Sequence, residues 1–416
     1  MKRLLFLTTI FVTAGVCSQP GYRTQVFDQN IKTLQTTLDA RRNGLMPVLE
    51  LNGSDVITIS FDELSHKAHS YGYKVIHCNA DWTPSGITTS EYLNGYTTAD
   101  ITDYVLSVNT TYLYTHYSFQ LPNNEMSFKI SGNYLIDIYE DNQVDKPVAH
   151  VCFSIVEPRV GINATVRGNT DTELNGRLQQ VDFDVLLNGY QIREPNTELK
   201  VFVRQNNRLD NQVGGVAPTY VSGLKLSYIN NKALIFEGGN EYHRFDISSV
   251  YAAGQGVDAI RYNQPHYDAF LFENKIQTSR TFIQDQDVNG RYVINLQRSD
   301  ADDVEADYMW VRFRLQAPQP FFDGQLYLGG EFNYNLLDEI SRLKYDNANG
   351  VYYQDVLLKQ GGYNYQYWFV PKGTTRASAE RVDGSYWQAR NEYSIYVYHR
   401  PWGERYDRLI GVKNVE

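Results

Sequence analysis

The chain has 416 residues, of which 38 are Lys or Arg and 48 are Asp or Glu, and its pI is near 5.4. This acidic balance excludes a protein that binds nucleic acid or an anionic membrane through a basic face. Hydrophobic residues make up 42% and charged residues 21%, which is typical of folded globular proteins. The 33 Tyr and 19 Phe against only 4 Met favour strands over helices.

The first 18 residues have the pattern of a cleaved export signal. Lys2 and Arg3 precede an apolar run at 4–15 that is too short to span a bilayer. Small or tolerated residues just before Gln19 predict cleavage there, and Cys17 leaves lipidation as the alternative. Because no later apolar run reaches the ~18 residues of a transmembrane helix, we expect the mature chain to be exported without inserting into a membrane.

The first unit, residues 19–158, is predicted to be a β-sandwich. Turn pairs such as Asn52-Gly53 and Asn94-Gly95 separate short runs rich in aromatic and β-branched residues. About seven strands in this length is typical of an immunoglobulin-like sandwich. Pro158 ends the unit, because proline cannot donate to a central sheet and biases the preceding residue toward an extended conformation. The predicted strands are 31–38, 47–51, 56–61, 71–78, 111–121, 126–140 and 147–156.

Two further units follow by the same reasoning. The second covers 159–317 and ends at Pro318 and Pro320, and the third covers 318–416. Apolar residues at 336, 337, 340 and 343 predict one short helix in the third unit. The predicted fold class is all-β, with three sandwich-like domains in series of immunoglobulin, fibronectin or early-set type. The predicted strands of these units are 180–187, 198–205, 223–229, 233–236, 243–250, 266–272, 292–296, 308–315, 325–329, 351–358, 363–370 and 392–398.

One loop is similar to the start of a calcium-binding loop. Asp285, Asp287 and Asn289 supply oxygen ligands at alternate positions, and Gly290 follows at the turn. The last ligand position would be Leu296, where a bidentate carboxylate is needed. The alternative is a hairpin turn in which Asn-Gly supplies a positive φ. We therefore expect a tight turn without a bound ion.

Two cysteines remain once the signal is removed. Cys78 and Cys152 lie in apolar strand-like runs. Because export leads to an oxidising compartment, a disulfide and two separate buried thiols both stay open. His66, His69 and His77 lie near Cys78 but lack the repeated ligand spacings of a zinc site, so we expect ordinary histidines.

The sequence contains no motif for catalysis or nucleotide binding. It has no Gly-x-Ser-x-Gly elbow, no His-Glu-x-x-His helix, no phosphate-binding glycine loop and no dinucleotide fingerprint. We therefore expect a non-enzymatic protein without a cofactor. Near the C-terminus, Arg and aromatic residues alternate with the composition of an interface hot spot, and the alternative is a last strand followed by a solvated charged tail. The candidate partner-binding residues are Arg400, Trp402, Arg405, Tyr406 and Arg408.

Several phrases, in order along the chain, carry a resemblance to a known family. One of them is Arg400-Pro-Trp402-Gly-Glu-Arg405. With these phrases the chain resembles the type IX secretion system plug proteins of Bacteroidetes. The phrases are not catalytic motifs, so the resemblance supplies no catalytic residues. The full set covers 73–85, 112–117, 128–134, 240–246, 285–292 and 400–411.

This resemblance implies a periplasmic protein at the inner face of the outer membrane. There the family occludes the outer-membrane β-barrel translocon when the channel is idle, so the translocon is the implied partner. A second resemblance, of 329–333 and 361–367 to the early-set sandwiches of glycogen-binding modules, implies carbohydrate binding as the alternative. An exposed row of Trp368, Trp387 and Trp402 would favour sugar, and a convex polar-rimmed patch would favour a protein partner.

Overall fold

The structure is a computed structural model that describes residues 21–38, 41, 42, 46–170, 172, 173, 176–277, 282–299 and 301–416. The signal peptide predicted at 1–18 lies outside these residues. About 48% of the chain is strand and 6% is helix, so the prediction of an all-β fold built from sandwich domains is confirmed. Within the described residues, no helix has the length and apolar character needed to cross a membrane.

The first domain is a β-sandwich. Its elements are β1 (Gln25–Val26), β2 (Ile31–Leu38), β3 (Arg41–Arg42), β4 (Val48–Glu50), β5 (Ile57–Glu63), β6 (Tyr71–Cys78), α1 (Thr89–Tyr92), β7 (Leu93–Gly95), β8 (Thr98–Ile101), β9 (Asp103–Leu106), β10 (Thr115–Leu121), β11 (Met126–Phe128), β12 (Gly132–Glu140) and β13 (Pro147–Val156). One sheet has the order β1-β13-β12-β6-β8 with β4 beside β13, and the other has the order β3-β2-β5-β10-β9. The alternation of β5 places Ile57, Ile59 and Phe61 in the core between the sheets, together with Tyr73 and Val75 of β6.

The rest of the chain forms two more sandwiches. Its strands are β14 (Gly161–Arg167), β15 (Leu178–Leu186), β16 (Leu199–Gln205), β17 (Val213–Gly214), β18 (Tyr220–Val221), β19 (Lys225–Tyr228), β20 (Ile235–Glu237), β21 (His243–Asp246), β22 (Val257–Asn263), β23 (His266–Leu271), β24 (Asn274–Lys275), β25 (Tyr292–Ile294), β26 (Tyr308–Gln316), β27 (Gly324–Gly329), β28 (Lys344–Asp346), β29 (Val351–Lys359), β30 (Gly361–Pro371), β31 (Tyr393–His399) and β32 (Arg408–Val415). The short helices are α2 (Pro195–Glu198), α3 (Asp302–Glu305) and α4 (Glu380–Asp383), with 3-10 turns at Lys232–Leu234 and Glu331–Asn333.

The third sandwich is inserted into the middle one. The middle sandwich pairs the sheet β14-β15-β19-β18, with β20 beside β15, and the sheet β17-β16-β31-β32, so the last two strands of the chain complete a domain begun at β14. The third sandwich lies entirely between β21 and β30. Its sheets have the orders β21-β30-β25, with β27 beside β30, and β22-β23-β26-β29-β28, with β24 beside β26.

This topology corrects the predicted boundary between 317 and 318. Strand β26 before it and β27 after it contribute to one core, where Leu315 and Leu326 are both buried. Pro318 and Pro320 lie in a loop of the third sandwich, between β26 and β27. The predicted boundary is wrong because a proline interrupts the hydrogen bonds of a sheet at loops within a domain as well as at its end. In the described chain the sheets of the first domain contain no strand beyond Val156.

The predicted helix at 336–343 is also wrong. The segment forms turns, in which the backbone N–H of Ser341 donates to the Asp338 carboxylate and the Ser341 hydroxyl donates to the carbonyl of Leu336. These local bonds compete with helical ones, as Ser and Asp side chains often do. Leu343 is buried, but Ile340 is 71% exposed, so the apolar spacing does not mark one buried face.

Buried polar groups join the first domain to the third. The ammonium of Lys359, at the end of β29, donates to the carboxylate of Asp62 in β5 at 2.6 Å, and both side chains are at most 2% exposed. His116 and the Tyr308 hydroxyl each hydrogen-bond Asp62 at 2.6 Å. Asp307 accepts bonds from two backbone N–H groups of the loop before β10. The two domains are therefore joined by charge-assisted bonds in a site that water does not reach.

A buried arginine joins the middle domain to the third. Arg208 follows β16 and pairs with Asp210 at 2.6 Å. Its guanidinium lies 4.3 Å from the ring centroid of Trp368 in β30 and donates to the carbonyl of Ala377 at 2.9 Å. The planar guanidinium thus satisfies an ion pair, a stacking contact and a backbone acceptor at one junction.

Candidate functional site

The C-terminal hot spot predicted from the sequence is a loop that connects β31 to β32. It leaves the middle domain after His399, and Gly403 has a φ of +90°, a conformation that favours glycine. The side chain of Trp402 is 93% exposed, so it projects from the loop into solvent. An exposed Trp on a fixed loop is a suitable anchor for a protein partner.

Asp407 fixes this loop against the first domain. Its carboxylate is fully buried and accepts from the backbone N–H of Ala80 at 2.9 Å. It also pairs with Lys200 at 3.0 Å and with Arg400 at 2.8 Å. Arg400 in turn donates to the side chain of Asn79 at 2.6 Å. Arg400 is therefore occupied in an interdomain junction, and the sequence prediction that it contacts a partner is not favoured by its position.

The other three predicted hot-spot residues also make intramolecular contacts. Arg405 pairs with Glu91 of α1, and Arg408 pairs with Glu404 at 2.9 Å. The ring of Tyr406 packs edge-to-face against His77 at 5.4 Å, and the guanidinium of Arg408 lies over the same ring. Burial lowers the pKa of His77 to about 4, so this ring is neutral at pH 7. Of the five candidate residues, Trp402 is the most exposed, at 93%, and the Arg405 side chain is 58% exposed.

The candidate calcium loop has its carboxylates engaged by the protein. Asp285 accepts from Arg244 at 2.7 Å, and Asp287 accepts from the backbone N–H groups of Tyr242 and Asn289. Asn289 and Gly290 have φ values of 53° and 85°, which is the geometry of an Asn-Gly turn. In the described residues, no three His, Cys, Asp or Glu side chains are placed to hold a metal ion. A tight turn without a bound ion stays our prediction.

Cys78 and Cys152 are separate buried thiols and not a disulfide. Both are free and fully buried, in a small cluster with Leu135. Strand β12 lies between β6 and β13, so two strand spacings, about 10 Å, separate the cysteine backbones. A disulfide needs Cα atoms within ~7 Å. Burial raises the pKa of both thiols, which keeps them protonated at neutral pH.

The histidines of the weak zinc hypothesis have other partners. His66 hydrogen-bonds the carbonyl of Ser107, and His69 pairs with Glu63. His77 hydrogen-bonds the hydroxyl of Ser85 at 2.8 Å. The three rings are thus held in different places by the fold.

The tryptophans do not form an exposed row. Trp368 is fully buried beneath Arg208, Trp387 is 47% exposed, and Trp402 projects from its loop. A carbohydrate platform needs aromatic faces that a sugar can stack on, and the buried ring cannot take part. The arrangement does not supply the feature that would have favoured sugar binding.

Sequence reasoning missed an exposed apolar edge in the first domain. Strand β9 is exposed along its whole length, and its Tyr104 and Val105 are each 50% exposed. Val108 and Leu113, in the loop that follows, are exposed to a similar extent. The signal in the sequence is the run 104–108, which is apolar except for one serine.

Comparison with known proteins identifies the family. Residues 31–157 match the family model described as the type 9 secretion system plug protein 1st domain. A crystal structure of a hypothetical protein from Parabacteroides merdae ATCC 43184 is 42% identical, covers 95% of this chain and 100% of its own, and superposes with a TM-score of 0.93. The chain belongs to the type IX secretion system plug family. Its role is therefore related to type IX secretion, in association with the secretion machinery of the cell envelope.

Two other comparisons add nothing to this assignment. No curated protein matches the sequence. Native alpha-2-macroglobulin from Escherichia coli aligns with 49% of this chain and 98% of its own, at 10% identity and a TM-score of 0.15. That score is too low to support a shared fold.

Proposed function

We propose that this protein is a non-enzymatic periplasmic subunit that occludes the periplasmic end of the type IX outer-membrane β-barrel translocon when the channel is idle. The observation that carries the proposal is the match of the first domain, residues 31–157, to the plug family. The predicted export signal supports a periplasmic location. The position at the inner face of the outer membrane follows from the proposed contact with the translocon.

The construction of the molecule suits a body that blocks an opening. Each sandwich has its own packed core, and packed cores resist deformation. The Asp62–Lys359 pair and the Asp407 junction join the first domain to the third and to the middle domain. A plug made in this way keeps its shape under load, whereas a loop would bend.

Trp402 is our candidate anchor on the translocon. A plug must also be released, so its interface should be of moderate size and partly polar. A single exposed aromatic side chain, held on a loop fixed by Asp407, fits such an interface. Arg405 and Arg408 flank it with partly exposed guanidinium groups that can pair with carboxylates on a partner.

The test is the permeability of the outer membrane in a deletion strain. Deleting the gene for this protein should make cells sensitive to a bulky antibiotic, and restoring the protein should remove the sensitivity. Deleting the translocon as well should also remove it, because the open pore is then gone. Sensitivity that is unchanged by the first deletion, or that persists without the translocon, would contradict the proposal.

A further inference from the structure

Strand β9 ends its sheet on one side. It pairs with β10 from Asp103 to Leu106, and within the described residues no strand pairs with its other side. All four residues of β9 are exposed, so no other part of the described chain covers this edge. This edge therefore presents unpaired backbone groups to solvent.

The ladder shows which backbone groups are available. The N–H of Ser107, the residue after β9, donates to the carbonyl of Tyr114, so this N–H points toward the segment that leads into β10. Antiparallel ladders alternate, so Val105 also directs its N–H and C=O toward β10. Tyr104 and Leu106 then direct theirs away from the sheet, where an added strand can bind them.

The side chains of this edge do not protect it. Natural edge strands are usually protected by lysine, proline or a β-bulge. The sequence Asp103-Tyr-Val-Leu106 has neither Lys nor Pro, and its pairing with β10 has no register shift. The edge strand β22 differs, because it has a register shift and carries Arg261. Such an unprotected apolar edge is a site for pairing with another chain.

Acidic groups lie at both ends of the edge. Asp103 begins β9, and the N–H of Val108 donates to the carbonyl of Val304 at 2.9 Å. That bond brings the acidic helix α3 to the other end, with Asp303 and Glu305. A second copy of this chain is disfavoured as the occupant, because the net charge is −10 and the acidic ends would face each other. An extended apolar segment flanked by basic residues complements the site.

We propose that β9 is a docking edge, to which the translocon adds an extended segment with alternating apolar residues and basic flanks. The added strand would bond the outward backbone groups of Tyr104 and Leu106 and cover the apolar side chains from Tyr104 to Leu113. This inference rests on the proposed function, since it names a contact that the plug uses on the translocon.

Photo-crosslinking in living cells tests the edge. Tyr104 is replaced by p-benzoylphenylalanine in the full-length protein, and the matched control carries the same replacement at Tyr220, which is 62% exposed on the short strand β18. We expect a crosslink to the translocon from position 104 and none from 220. A crosslink from 220 but not from 104, or a crosslink to a second copy from 104, would overturn the proposal.

A second variant tests the backbone bonds. Leu106→Pro removes an outward N–H while the inward groups of β9 remain, and Leu106→Val is the control that keeps the N–H. We expect Leu106→Pro to reduce co-purification with the translocon about tenfold. Wild-type protein that co-purifies with the translocon without a crosslink at 104 overturns the docking edge alone. Wild-type protein that does not co-purify overturns the proposed function itself.

Discussion

Replacing Lys359 by Met should destabilise the protein more than any change to an exposed ion pair. The ammonium is within 2.6 Å of the Asp62 carboxylate, and neither side chain is more than 2% exposed. Removing one partner of a buried pair typically costs 3–5 kcal/mol, because the other charge stays buried without its partner. His116 and Tyr308 continue to hydrogen-bond Asp62, so we expect the low end of that range, about 3 kcal/mol.

The free energy of unfolding that Lys359→Met removes should depend on pH. Burial raises the pKa of Asp62, but the charge of Lys359 and the bond from His116 outweigh it, and the folded-state pKa lies below its ordinary value. The pair therefore stabilises the wild type above pH ~4, and this contribution is lost as the pH falls through the folded pKa. Without Lys359, burial dominates and Asp62 takes up a proton more readily. The difference between wild type and variant should be largest at pH 7 and should shrink toward pH 4.

Scanning calorimetry at pH 7 and pH 4.5 measures both effects, with urea unfolding as a second measurement. For a domain of roughly 150–250 residues, a loss of 3 kcal/mol lowers the melting temperature by about 6–12 °C. The control is Arg342→Met, which removes an exposed pair with Glu339 and should cost less than about 1 kcal/mol. Asp62→Asn added to Lys359→Met should recover most of the loss, because no uncompensated charge then remains. Equal losses for Lys359→Met and Arg342→Met, or a loss independent of pH, would refute the reasoning.

Three further predictions follow from the exposed and buried side chains. Trp402→Ala should change the free energy of unfolding by less than about 0.5 kcal/mol, yet reduce co-purification with the translocon. Trp387 packs its ring against the backbone of Gly168, so Trp387→Ala should lower the free energy of unfolding by more than that and leave co-purification unchanged. Cys78 and Cys152 should stay unlabelled by a thiol reagent in the native protein and both be labelled in denaturant, without any reductant; labelling that requires a reductant would indicate a disulfide. Titration calorimetry with millimolar calcium should show no binding heat, and heat that disappears in Asp287→Ala would contradict the tight-turn interpretation.

The sequence was informative about individual strands and uninformative about their partners. The predicted strands 31–38, 71–78 and 147–156 coincide with β2, β6 and β13, because runs of β-branched and aromatic residues end there at turn residues. The sequence pattern does not predict strand β32, because the charged residues before it are equally typical of an interface and of a solvated tail, yet Leu409 and Ile410 are fully buried. Pairing of β16 with β31 joins residues almost 200 positions apart, which no local pattern encodes.

For the candidate site at 400–408, the sequence predicts the residue types of an interface but not which groups these residues contact. The Arg and aromatic residues at 400–408 have the composition of a protein interface. Arg400 bonds to Asn79, and Asp407 bonds to Ala80, so the same residue types serve an internal junction. Whether an arginine pairs with another domain of its own chain or with a partner protein depends on long-range topology. Exposure distinguishes the residues of this loop: Asp407 is fully buried, whereas Trp402 is 93% exposed.

The insertion of the third sandwich has a mechanical consequence for a plug. Domains in series share one connection, and motion between them is the default expectation. Here the chain enters the third sandwich after β20 and leaves it after α4, so two connections join it to the middle domain. Buried Arg208 reinforces that junction. Asp62 joins the first domain to the third, and Asp407 joins the middle domain to the first. Bending between any two domains would pull these charged groups away from the groups that they contact across the junctions. For the proposed plug we therefore expect release at the surface that contacts the translocon, and not through an internal hinge.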